Sequence, residues 1–158
     1  MNSGGESRPR RWVWLFPLTY IAHIAEEVWG REGFAAWINR VSGFHMTTRE
    51  LIVSNAAGLL VMTIGVELVS RSAKWRWVLT ALAGIVLANF LLHTIGSTIS
   101  RSYSPGLITS GLLWFPLGLF TLSIEWRRAA RSTFVKGLIA MAAFHVLLIA
   151  AIAGGFWP

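Results

Sequence analysis

His23, Glu26 and Glu27 stand within about one helical turn of one another in an otherwise apolar run, with Tyr20 a turn earlier. An acidic residue near the centre of a membrane helix costs roughly 2.5–3.5 kcal/mol on translocon scales, so two adjacent glutamates need partners and point to a task. Neutral imidazoles and carboxylates at helical spacing are the groups with which a helix bundle holds zinc, iron or manganese. Asn89 and His93, at i and i+4, make a second polar patch on another helix. His23, His93 and one glutamate would supply three ligands, and a fourth position left to water would make the site catalytic, with the other glutamate moving protons. Because Glu26 and Glu27 project about 100° apart around the helix axis, their roles are expected to differ. The candidate catalytic and metal-binding set is therefore His23, Glu26, Glu27 and His93, supported by Tyr20, Asn55, Asn89, Tyr103 and His145.

Two metal-free chemistries use the same residues. A glutamic acid kept protonated by apolar surroundings can donate a proton to an alkene or epoxide, which suits an isomerase or cyclase acting on a lipophilic substrate. Trp114, Phe115 and Phe120 are candidates to line such a pocket. Alternatively, the groups titrate without bond chemistry, as in a proton-coupled carrier or lipophile-binding protein. A purely structural account pairs Glu27 with Arg31 at i+4 and lets His23 and Glu26 hydrogen-bond Asn89 and His93. His145 stands alone in an apolar segment, and nothing indicates a haem, flavin or nucleotide site.

The elements that must position these groups are membrane helices. Of 158 residues 54% are hydrophobic and only 13% charged, with a mean hydropathy of +0.57, which fits a polytopic membrane protein and leaves no room for a soluble domain. An all-α bundle of five transmembrane helices is expected, spanning about 12–30, 51–70, 77–99, 105–126 and 134–154, each near the ~20 residues a bilayer core demands. Residues 10–158 form the single domain, and 1–9 read as a disordered cytoplasmic tail. Phe34, Trp37, Ile38 and Val41 recur at i, i+3, i+4 and i+7, which predicts a short interfacial helix after the first span. His23, Glu26 and Glu27 interrupt the place where a signal-peptide cleavage site would lie, so the first span is kept as a mature helix.

The net charge of +7 reports topology rather than nucleic-acid binding. Arg8, Arg10, Arg11, Arg71, Lys74, Arg76, Arg127, Arg128, Arg131 and Lys136 all fall in alternate connections, against Arg31, Arg40, Arg49 and Arg101 in the others. The positive-inside rule then puts the N-terminus in the cytoplasm and the C-terminus outside, in a bacterial-type plasma membrane, with lipid as the bulk partner. A rise of about 1.5 Å per residue places His23 and His145 ~16 Å, Asn89 ~18 Å, Glu26 and Glu27 ~21 to 22 Å and His93 ~24 Å from the inner ends, so the polar groups share the middle and outer membrane. Zero cysteines exclude disulfide and thiolate chemistry. Thr47 with Glu50 reads as a capping box, Ser104 before Pro105 as an N-cap, and Pro17 and Pro116 as kink positions. Near the inner ends, Glu67 can pair with Arg71 and Glu125 with Arg128.

His23-Ile24-Ala25-Glu26-Glu27, Asn89-Phe90-Leu91-Leu92-His93 and Tyr103-Ser104-Pro105-Gly106 resemble, in order, the H-x-x-E-E, N-x-x-x-H and Y-x-P-G motifs of the HXXEE family of small membrane proteins. The resemblance spans most of the chain. It implies candidate positions rather than a reaction, since the family has no settled activity. Together, the residues predict a membrane-embedded metal-dependent enzyme with a small lipophilic or lipid-like substrate.

Overall fold

The structure, a computed structural model, describes residues 11–43 and 45–153. The expected tail at 1–9 lies outside these residues. Among them the chain is all-α, with six helices: α1 (Leu15–Trp29), α2 (Phe34–Ser42), α3 (Thr48–Arg71), α4 (Trp77–Ser100), α5 (Leu107–Arg128) and α6 (Arg131–Ala153). Four segments, containing α3 to α6, are long and apolar enough to cross a membrane, and the chain reads as an integral membrane protein. Its exterior is correspondingly apolar, with Leu18, Leu60, Val61, Ile99, Leu112 and Leu147 all exposed.

The first expected span is shorter than the others. A 3-10 turn at Arg11–Trp14 leads into only 15 residues of α-helix. Pro17 falls in the first turn of α1, where its missing N–H leaves no bond unmade. The predicted amphipathic helix forms as α2, with Ala35 and Trp37 buried, and ends at Gly43 with φ 75°. The Thr47–Glu50 capping box opens α3 as anticipated.

Helix α4 is central and packs against α3, α5 and α6, whereas α1 lies against α3 and the start of α5. Close approach needs small residues: a Cβ on Gly84 would meet Met141 at 2.8 Å, and one on Gly137 would meet Thr80 at 2.5 Å. The distortion anticipated at Pro116 takes the form of a π turn at Ser110–Trp114, because proline offers no N–H to the carbonyl one turn back. Val13, Phe16, Val66, Val69, Leu79, Leu82 and Val86 fill the bundle towards its α3–α4 end with apolar side chains.

Glu67 pairs with Arg71 at 2.6 Å, as the spacing predicts. Glu125 does not take Arg128. It forms a two-pronged pair with Arg76, at 2.8 and 3.2 Å, and is 2% exposed. A buried carboxylate gains more from a planar guanidinium reaching in from α4 than from an exposed side chain on its own helix. Such a pair locks two helices in register rather than adding much net stability.

Candidate metal centre

Three of the predicted side chains converge from two helices. His23 and Glu27, one turn apart on α1, face inward together, and α4 brings His93 against them. Glu27 Oε1 lies 3.5 Å from His23 Nε2 and 3.5 Å from His93 Nε2. All three donor atoms fall within 4.8 Å of one another, and the residues are only 1, 5 and 4% exposed. His23 Nε2 is buried without a hydrogen-bond partner.

Every remaining polar atom of the trio is held. Glu27 Oε2 accepts from Asn55 Nδ2 at 2.8 Å, and Asn55 Oδ1 accepts from the Tyr20 hydroxyl at 2.9 Å. His23 Nδ1 lies 2.9 Å from Thr109 Oγ1, and His93 Nδ1 2.8 Å from Ser104 Oγ. The His23 ring stacks on Trp114 with centroids 3.9 Å apart, and Phe34 of α2 stands edge-on to His93 at 5.4 Å. These contacts fix both imidazoles and wall them off from solvent.

Glu26 faces elsewhere. Its carboxylate receives the Ile108 N–H at 3.0 Å, the Thr109 N–H at 2.6 Å, the Thr109 hydroxyl at 2.5 Å and the Tyr103 hydroxyl. It thereby caps the N-terminus of α5, where orphan N–H groups and the helix dipole favour an anion. Adjacent glutamates thus diverge as their 100° separation requires, and neither meets Arg31, whose guanidinium lies 5.2 Å above the Tyr103 ring. Asn89 stays out of the network, its Oδ1 buried without a partner. His145 bonds the Met141 carbonyl of its own helix through Nδ1 at 2.9 Å. Phe115 and Phe120, 40 and 51% exposed, face outward, so of the three candidate pocket aromatics Trp114 alone is inside.

Sequence reasoning missed the parts supplied by the α4–α5 connection. Ser104 is not the N-cap of α5, because Gly106 holds that position and the Ser104 hydroxyl meets His93 instead. Gly106 adopts φ 101°, and a Cβ there would lie 2.6 Å from His93 Cε1 and 2.8 Å from both His93 Nε2 and His23 Cε1. The Y-x-P-G motif carried that signal, whereas Thr109 left none.

The donor set suits a divalent cation. Two ligands about 2.0–2.1 Å from one tetrahedral ion stand about 3.3–3.4 Å apart, close to both Glu27–histidine separations. A proton shared between an imidazole and a carboxylate would draw the two to roughly 2.7–2.9 Å. No curated protein and no solved structure matches the chain. One family does: its sequence model covers residues 14–121, which include every side chain of the cluster. The chain belongs to the family described as "Protein of unknown function with HXXEE motif".

Proposed function

We propose that this protein is a membrane-embedded enzyme in which His23, His93 and Glu27 hold a divalent metal and act on a small lipophilic or lipid-like substrate. The observation that carries the reading is the trio itself: three buried donors at ligand spacing, one of them an imidazole nitrogen with no other partner. Two histidines and a carboxylate suit zinc, iron or manganese. Such an ion supplies Lewis acidity and an activated oxygen ligand.

The chain's own residues orient and enclose. Tyr20 and Asn55 hold Glu27, Ser104 and Thr109 hold the imidazoles, and Trp114 and Phe34 keep bulk water away. Glu26, engaged at both oxygens, offers no free base. That favours chemistry driven by polarisation of substrate or water over a mechanism needing a second mobile carboxylate. Apolar walls and placement within a bundle favour a lipophilic substrate.

The metal reading is tested by elemental analysis of detergent-purified protein, free of any metal-binding tag, beside His23→Ala and His93→Ala. Near-stoichiometric metal, lost in both variants, is expected. Folded wild type that takes up no zinc, iron or manganese would overturn it and favour a metal-free acid–base isomerase or cyclase.

The membrane arrangement is part of the same proposal. Fifteen α-helical residues span about 22 Å, and four residues of 3-10 helix add about 8 Å, so residues 11–29 reach the ~30 Å of a hydrocarbon core. With that fifth span and the basic α3–α4 and α5–α6 connections in the cytoplasm, the site lies in the outer half of the membrane. Single cysteines introduced into the cysteine-free chain at Ser72 and Ser42 should react with an impermeant maleimide only from the cytoplasmic and only from the outer side, respectively. The reverse pattern would invert the topology.

A further inference from the structure

The unused glutamate of the motif bears on the metal through one hydroxyl. Thr109 Oγ1 has a single proton and three neighbours that could accept it: Glu26 Oε2 at 2.5 Å, His23 Nδ1 at 2.9 Å and the Gly106 carbonyl at 3.4 Å. The carboxylate is nearest, and it gives the charge-assisted bond, the stronger kind. With its proton committed to Glu26, Thr109 Oγ1 can meet His23 Nδ1 only as an acceptor, so Nδ1 must carry a hydrogen. A neutral imidazole protonated at Nδ1 presents a bare lone pair at Nε2. That is the atom buried without a hydrogen-bond partner and facing Glu27 Oε1 at 3.5 Å.

We infer that Glu26 is a positioning residue rather than a ligand: acting through Thr109, it fixes the His23 proton on Nδ1 and leaves Nε2 free to bind metal. The inference rests on the metal reading above for its purpose, while the proton's place is a separate fact that can be tested without metal. The arrangement is equivalent to the carboxylate–histidine–metal relay found behind many ligating histidines, with a threonine hydroxyl interposed. His93 differs, because Ser104 Oγ has no carboxylate among its described partners and can either donate to Nδ1 or accept from it.

Glu26 also explains why the relay is rigid. Backbone N–H groups of Ile108 and Thr109 bind its two oxygens separately, so the carboxylate cannot rotate away from the Thr109 hydroxyl without uncapping α5. The motif's second glutamate supplies the ligand and its first supplies the orientation.

The test compares wild type, Thr109→Val, which keeps the shape and removes the hydroxyl, and Thr109→Ser, which restores it. Nitrogen-15 spectra of histidine-labelled, metal-free protein, taken where the imidazole is neutral, read which ring nitrogen bears the proton. Competition with a chromophoric chelator reads zinc affinity. Wild-type His23 should carry its proton on Nδ1, and T109V should shift it towards Nε2 and weaken zinc by roughly 10–100-fold, the usual effect of losing an outer-shell partner. T109S should resemble wild type in both readings. A bare Nδ1 in wild type, or unchanged zinc affinity in T109V, would overturn the inference. If no protein binds zinc, the metal reading fails, and the proton's position alone decides the relay. Should T109V not fold, the wild-type spectrum still decides it.

Discussion

Replacing Glu27 by glutamine is expected to abolish metal binding while leaving the bundle folded. The introduced amide can keep its carbonyl toward Asn55 Nδ2, which now donates to Glu27 Oε2 at 2.8 Å. Its NH2 group then occupies the place of Oε1 and donates to the His23 Nε2 lone pair that has no partner in the native protein. No buried polar group is stranded, so stability should stay within about 1 kcal/mol of wild type, the net scale of one hydrogen bond. The site meanwhile loses its one negative charge, and an amide nitrogen is no substitute for a carboxylate ligand. Zinc affinity should fall by more than the roughly 10–100-fold that an outer-shell loss brings. Zinc titration beside thermal melts checks both halves. Full-strength binding by a folded E27Q protein would remove Glu27 from the ligand set.

The residues that make this prediction possible were visible in the sequence to different degrees. His23 and Glu27 could be placed on one face from their i, i+4 spacing alone. His93 could be matched to them only by depth, because what brings α4 against α1 is long-range packing that no local pattern encodes. The spacing of Glu26 and Glu27 said that they must differ but not which would turn inward. That choice is made by the N-terminus of α5, whose free N–H groups claim Glu26. His145 shows the converse: an intramembrane histidine can be satisfied by its own helix, here by the Met141 carbonyl.

The fold was legible where local physics governs. Hydrophobic run lengths located α3 to α6 within a few residues, the Thr47–Glu50 box marked the start of α3, and the amphipathic pattern gave α2. It was less legible where distant groups compete. Glu125 has Arg128 three residues away, yet Arg76, 49 residues back, supplies a largely buried partner that reaches both carboxylate oxygens. The α4–α5 connection was the least readable part. Serine before proline is an ordinary helix start, whereas here the helix is capped by Gly106, whose positive φ lays the segment against both histidines.

That turn sets the remaining large effect: Gly106→Ala should disable the site and destabilise the protein together. A left-handed backbone is strained for any L side chain, by about 1–3 kcal/mol. The methyl group would also lie 2.6 Å from His93 Cε1 and 2.8 Å from His23 Cε1, well inside contact distance. Neither ring can yield cheaply, since Trp114 backs His23 and Phe34 backs His93, while their Nδ1 atoms are tied to Thr109 and Ser104. Overpacking of that kind adds about 1–3 kcal/mol, so a total loss of about 2–6 kcal/mol is expected, with zinc binding lost as the imidazoles are forced apart. Gly43→Ala separates the two causes. Gly43 has φ 75° but nothing within 4 Å of an added Cβ, so its substitution carries strain without crowding. Thermal melts and zinc titration of both variants should find G43A modestly less stable and fully competent for metal, and G106A deficient in both. Wild-type zinc affinity in G106A would mean that the histidines do not hold the metal where the structure brings them together.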